Sequence, residues 1–238
     1  MRKHVPNFIT LLNLLSGFAA TVFAIKGYND YAAFLIIAGG IFDFSDGLAA
    51  RLLKTYSGIG KDLDSLADIV TFGIAPGAIV LNLLTDSGLG FVPGFILAGL
   101  IPATSALRLA KFNNDTTQTT SFRGLATPAS AFTVISFVIA SEFSRFAIFD
   151  ALVVSYWFIG ALSVFLSVMM LVNTRMFSLK FKHLGWSGNE ERYILAGVSL
   201  LLLVILKFAS PPLIMISYIL ISLISNVLRR RGTSPAAA

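Results

Sequence analysis

The fold expected from the sequence is an all-α integral membrane protein of about eight transmembrane helices, and three observations carry that expectation. Of 238 residues, 56% are hydrophobic and only 13% charged, with a mean hydropathy of +0.82, far from the balance of a water-soluble domain. Apolar runs of about 20 residues recur from end to end, each long enough to cross a hydrocarbon core of roughly 30 Å as a helix. The basic residues, finally, alternate in density between successive connections.

The spans follow in order. The basic start, Met1 to His4, leads into an apolar stretch over 8–26. That pattern also suits a signal peptide, but the run lacks a small-residue cleavage site and further spans follow, so it reads as a retained first helix. The break Lys26-Gly27-Tyr28-Asn29-Asp30 separates it from a second span over 31–53. A third covers 62–84 and stops at Thr85-Asp86-Ser87-Gly88, and the next three cover 91–112, 127–146 and 150–173. Ser210-Pro211-Pro212 divides the last two, 192–208 and 212–228. The chain is thus expected to form one helical membrane domain over 1–228 and a basic, disordered tail over 229–238. No heptad or fixed-period repeat interrupts this pattern.

Of the 18 Lys and Arg residues, fifteen fall on one side of this arrangement and only Lys26, Arg145 and Lys207 on the other. By the positive-inside rule both termini and the even-numbered connections are cytoplasmic. The net charge of +6 is therefore mainly a topology signal, with attraction to anionic headgroups as a lesser reading and nothing to support nucleic-acid binding. The absence of cysteine excludes disulfides, thiolate metal sites and cysteine nucleophiles. The 21 Phe read as lipid-facing and packing surface, and His4 and His183 as interfacial or loop residues.

Five of the acids, Asp43, Asp46, Asp62, Asp64 and Asp68, crowd into two successive spans and their connection. A carboxylate at membrane depth is costly unless it faces a polar cavity or binds a cation. At about 100° per residue, Asp43 and Asp46 project about 60° apart and Asp64 and Asp68 about 40° apart, so each pair lines one helix face. Any one of these acids alone could be a helix cap, and Asp62 reads as no more than that. Four together, with no His or Cys donor, suit hard divalent cations: two ions of Mg²⁺ or Mn²⁺, with Ca²⁺ a further candidate. Such ions offset the carboxylates and leave the site able to accept an anionic phosphate. Gly47 and Ala50 lie near the Asp43 face, where small side chains let a ligand approach, and Arg51, one turn beyond Gly47, offers a guanidinium fork for a phosphate.

Written out, Asp43-Phe-Ser-Asp46-Gly47-Leu-Ala-Ala50-Arg51, then eight residues, Gly60, three residues, Asp64, three residues and Asp68, resembles the full signature of the CDP-alcohol phosphatidyltransferase family. The resemblance implies an enzyme in which an alcohol hydroxyl displaces CMP from a CDP-linked lipid, over a core of six helices with two metal ions between the second and third. It also implies metal ligation by Asp43, Asp46, Asp64 and Asp68, with Asp68 taking the hydroxyl proton. Contacts to the CDP moiety fall to Gly47, Arg51 and Ser57, and the opening Pro6-Asn7-Phe-Ile-Thr10-Leu-Leu-Asn13 is similar to a cytidine-side helix, which adds Asn7, Thr10 and Asn13. A homodimer among membrane lipids is the assembly implied, while the basic split, with Arg51 and Lys61 beside the acids, is what turns the active site toward the cytoplasm.

The segments Asp68-Ile-Val-Thr-Phe72-Gly73-Ile-Ala-Pro76, Arg108-Leu-Ala-Lys-Phe-Asn113 and Phe122-Arg-Gly124-Leu125-Ala-Thr-Pro128-Ala129 resemble those of family members that join CDP-diacylglycerol to L-serine. Two positions depart from that branch: Lys111 stands where arginine is usual, and Ala126 where proline is. Serine carries a carboxylate and an ammonium, and Arg108, Lys111, Asn113 and Arg123 fall on the same side as the acids, which makes them the alcohol-binding candidates. Glycerol phosphate or inositol phosphate would also attract these cations and stays open as the acceptor. A cation channel or transporter is the rival of another class. Against it, the four acids lie toward one membrane face, no inverted repeat is evident, and Arg51 would repel a permeating cation.

Overall fold

The computed structural model describes residues 4–55, 58–114, 121–178 and 185–232. The chain is helical almost throughout. α1 (Val5–Ile25) and α2 (Asn29–Leu52) form an antiparallel hairpin around Gly27, whose φ of +84° a side chain would resist. α3 (Gly58–Ile69) passes through a π-helical turn (Val70–Ile74) into α4 (Ala75–Asp86), so the three pieces form one rod against α1. α5 (Phe91–Asn114) returns along it. A short strand β1 (Ser121–Arg123) precedes α6 (Thr127–Phe143), then α7 (Ala147–Val153) and α8 (Tyr156–Leu171), which meet at 75°. Strand β2 (Arg175–Phe177) pairs antiparallel with β1, Phe122 opposite Met176. α9 (Glu190–Leu206), a 3₁₀ turn (Lys207–Ala209) and α10 (Ser210–Gly232) complete the described chain.

Several boundaries differ from expectation. The third helix begins at Gly58 rather than near 62, so Gly60 and Lys61 are helical and the Lys61 side chain leaves the helix in a fixed direction. The sixth expected span is broken, because Ser155 in extended conformation caps α8 by accepting from the Phe158 amide at 3.4 Å. The apolar stretch Glu190–Leu228 is continuous in composition, yet it doubles back at Lys207: Ser225 donates to the Glu191 carboxylate, which sets the end of α10 beside the start of α9. α10 continues to Gly232, past the domain end expected at 228, and 233–238 lie outside the described residues. Among the described residues five stretches are long and apolar enough to cross a membrane, or six with the bent α7–α8 pair as one; the expected eight additionally counts α6 and both hairpin arms.

The core is small-residue packing more than bulk. An added Cβ at Gly17 would stand 2.3 Å from Thr71 Oγ1, and one at Gly39 2.5 Å from Thr71 Cγ2. Only because both positions lack a side chain does Thr71 wedge between α1 and α2, where its hydroxyl donates to the Asn13 carbonyl at 2.9 Å. Below this contact Ile36, Phe72, Ile79 and Leu84 are fully buried. Many large apolar side chains outside the core are exposed, among them Phe8, Phe18, Ile41 and Leu200, the distribution of a lipid-facing surface.

Candidate active site

The acids expected to work together are brought together. Carboxylate oxygens of Asp43 on α2 and of Asp64 and Asp68 on α3 all lie within 4.8 Å of one another, and all three side chains are half-buried. Three carboxylates at that range repel one another strongly away from bulk water, and an oxygen-only donor set of this size fits a hard divalent cation. Asp46 is arranged differently. It is buried, and its Oδ2 accepts from Thr10 Oγ1 at 2.6 Å, a hydroxyl also 3.0 Å from the Pro6 carbonyl. Thr10 thereby orients the fourth acid from α1. Asn13, one turn further along α1, points its Nδ2 at Asp68 Oδ1 over a long 3.5 Å. The π-turn that begins two residues after Asp68 changes the phase of the rod. Its upstream half turns Asp64 and Asp68 toward α2, while its downstream half packs Gly77 against Pro102 of α5, where an added Cβ would come within 3.0 Å.

A cavity of about 240 Å³ opens beside these acids, and Asn7, Thr10, Asp46, Gly47 and Asp64 are among its lining residues. Gly47 faces open space, with no atom within 4 Å of an added Cβ, so its smallness serves whatever enters the cavity and not the packing. Arg51 is exposed, and its Nε donates to the Gly47 carbonyl at 3.0 Å, which tethers the guanidinium to the helix face carrying Gly47. Lys61 lines the same cavity and donates to the Asn113 carbonyl at 3.0 Å. Ser57, expected here, lies outside the described residues.

The expected alcohol-binding residues divide. Arg108, Lys111 and Arg123 line a second cavity of about 730 Å³ between α5, β1 and the end of α8. Asn113 does not line it; its side chain turns to α3 and donates to Ser65 Oγ at 2.8 Å, tying α5 to the helix that carries Asp64 and Asp68. Arg108 is 8% exposed and donates from Nη1 to Thr127 Oγ1 at 3.2 Å, while its buried Nε has no hydrogen-bond partner among the described residues.

Reading the sequence missed how this second cavity is built. Gly124, at φ +76°, passes so close to α8 that an added Cβ would stand 2.5 Å from the Met170 carbonyl. The Gly124 amide donates to the Thr174 carbonyl and the Leu125 amide to the Met169 carbonyl, each at 2.8 Å, which stitches β1 to the end of α8 and fixes Arg123 at the rim. From the other side Tyr218 of α10 donates to the Phe177 carbonyl at 3.2 Å and packs edge-on against the Phe177 ring, holding β2 and through it β1.

Fold and site together define a multi-pass helical membrane protein with a carboxylate cluster at one end of its bundle. A family model described as CDP-alcohol phosphatidyltransferase matches residues 3–169, and the chain belongs to that family of phospholipid-synthesising transferases, which use divalent metals. It is 36% identical over 127 residues to a CDP-diacylglycerol–serine O-phosphatidyltransferase of Bacillus subtilis, covering 53% of this chain and 70% of that one. A protein of the same description from Helicobacter pylori is 32% identical over 80% of this chain and 77% of its own length. An archaetidylserine synthase of Methanothermobacter thermautotrophicus is 33% identical over 59% of this chain and 60% of its own.

Proposed function

We propose that this protein transfers the phosphatidyl group of CDP-diacylglycerol to the hydroxyl of L-serine, giving phosphatidylserine and CMP. The observation that carries the reading is the convergence of Asp43, Asp64 and Asp68 within 4.8 Å beside a cavity faced by Gly47. The serine acceptor is supported by the names of the relatives and by the cationic cavity next to the acids.

In this mechanism the CDP moiety enters beside Gly47, with Asn7, Thr10, Arg51 and Ser57 as its further contacts and the Arg51 guanidinium on a phosphate; Asn13, fully buried and outside the cavity lining, acts through Asp68 instead. Asp43, Asp46, Asp64 and Asp68 hold two divalent ions, Mg²⁺ or Mn²⁺ with Ca²⁺ as a further candidate, which when bound polarise the phosphoryl group and neutralise charge on the departing CMP. Thr10 and Asn13 keep Asp46 and Asp68 in position. The serine hydroxyl oxygen attacks the lipid-side phosphorus as Asp68 takes its proton, the bond to the CMP oxygen breaks, and the two electrons of that bond leave with CMP. Arg108, Lys111 and Arg123 hold the serine carboxylate. The site opens to the cytoplasm, with both termini on that side, an orientation supported by the split of the basic residues. The assembly is a homodimer.

The test is CMP release by purified protein given CDP-diacylglycerol with serine, glycerol 3-phosphate, inositol or inositol phosphate. Serine should support the fastest release, and a preference for a phosphorylated alcohol would replace it as acceptor. No release with any alcohol would remove the enzyme reading altogether.

A further inference from the structure

A different constellation lies at the other end of the bundle. α6 starts at Thr127, beside Arg108, and runs 17 residues, about 25 Å at 1.5 Å per residue, to Phe143. There its end meets the end of α9, and a cavity of about 120 Å³ opens between them. Arg145 and Lys207 both line it, together with Ser144 and the rings of Phe143, Phe146 and Phe208. These are two of only three cations on the basic-poor side of the sequence, and they come from segments 62 positions apart in the chain. Among the described residues no ion pair or hydrogen bond engages the Arg145 guanidinium or the Lys207 ammonium; the Ser210 hydroxyl donates to the Lys207 backbone carbonyl at 2.5 Å. Of the nearby acids, Asp150 accepts from Ser141 at 2.8 Å and Glu142 does not line the cavity.

Lys207 supplies a second, independent observation. It follows α9 with φ 49° and ψ −118°, a positive-φ conformation outside the αL basin that glycine adopts far more readily than a residue with a side chain. A lysine held there is strained, and what it contributes in exchange is a positive charge at the cavity. Both cations also stand by the carbonyl ends of α6 and α9, which favour positive charge, and two cations lining one cavity complement the negative charge of a phosphodiester. Phe143 packs at a tilt against Phe208, with centroids 5.7 Å apart, and against Phe34, 5.6 Å apart, which gives an apolar wall beside the charges. Basic pockets between membrane helices bind lipid headgroups on the cytoplasmic face by this combination, and here the same chemistry stands at the opposite end of the bundle.

We propose that Arg145 and Lys207 form a binding site for the phosphodiester of an anionic membrane phospholipid, remote from the carboxylate site, with Ser144 Oγ–H as a further donor and the phenylalanine rings against the lipid's apolar part. The site clamps the α9–α10 turn to the end of α6.

The test uses the full-length protein carried into native mass spectrometry from mixed micelles containing phosphatidylglycerol and phosphatidylcholine in equal amounts. Wild type should retain phosphatidylglycerol preferentially, and R145A/K207A should lower that retention about tenfold while CMP release from CDP-diacylglycerol is kept. Lys207→Gly separates binding from folding: relief of the backbone strain should leave the thermal midpoint unchanged or higher, yet the lipid preference should fall. Wild-type retention in both variants would overturn the proposal. So would loss of phosphatidylglycerol to millimolar inorganic phosphate, which would mark a site for free anions and not for a lipid.

Discussion

The carboxylate cavity and the cationic cavity lie side by side but are assembled in opposite ways. The first is made by α1, α2 and α3, three helices consecutive in the chain; Asp46 and Asp64 line it, and with Asp43 and Asp68 beside them the four acids come from 26 consecutive positions. The second is made by α5, β1 and α8 and is braced from α10 through the Tyr218 hydrogen bond to the Phe177 carbonyl, so it depends on residues as distant as Arg108 and Tyr218. The family match ends at residue 169, which includes all of the first cavity and leaves β2 and α10 outside. The comparison teaches that the reaction centre is local in sequence, whereas the region proposed to choose the acceptor depends on long-range packing.

The comparison breaks first at the acids. Asp68→Asn should lower CMP release by about a hundredfold to ten-thousandfold, because an amide cannot take the hydroxyl proton, and Asp43→Asn or Asp64→Asn should do so by weakening metal binding. A second readout is thermal stability. Without divalent ions each Asn variant should melt higher than wild type, since one mutual repulsion is gone, whereas added Mg²⁺ or Mn²⁺ should stabilise wild type more than the variant. Metal-induced stabilisation equal in both would remove the ligand assignment. Next in size is Gly47→Leu, expected to raise the apparent CDP-diacylglycerol constant about tenfold with an unchanged melting point, since no protein atom lies near an added Cβ. A fall in stability instead would return Gly47 to a packing role.

The acceptor side should respond more gently. Arg108→Lys keeps the charge but loses the planar fork, and one charge-assisted contact is typically worth roughly 1.5–3 kcal/mol, about tenfold to a hundredfold in the serine constant. Initial CMP release against serine at saturating lipid checks it. Tyr218→Phe removes one hydrogen bond to the Phe177 carbonyl, worth about 1 kcal/mol, and should raise the serine constant a few-fold at unchanged kcat and unchanged lipid affinity. Unchanged serine dependence there would sever α10 from the acceptor cavity while leaving Arg108 in place.

How legible each region was in the sequence follows from the same contrast. Asp43, Asp46, Asp64 and Asp68 could be assigned to facing helices because helical periodicity fixes their directions without knowledge of the rest of the fold. That Asp46 is held by Thr10 while the other three cluster is a tertiary fact, since Thr10 is 36 positions away. β1 and β2 are three residues each, too short for any alternation to register, and their pairing depends on the close approach of Gly124 to α8. Asn113 carried no sign in its own segment that it would turn toward Ser65. Tyr218 sat within an apolar run, where one ring among many aromatics gives no reason to single it out.

The π-turn at Val70–Ile74 has a further consequence for how this protein tolerates change. A plain α-helix from Gly58 to Asp86 would have to satisfy a single angular phase along its whole length. The extra residue in the turn shifts that phase by about 100°, so the two halves answer to different neighbours. Substitutions in this rod are then judged locally, each by its own half. A one-residue deletion at the turn is judged by both halves at once: it would swing Asp64 and Asp68 away from Asp43, or swing Gly77 away from Pro102, with almost no change in composition or hydropathy. Length, more than identity, is what this segment has to conserve.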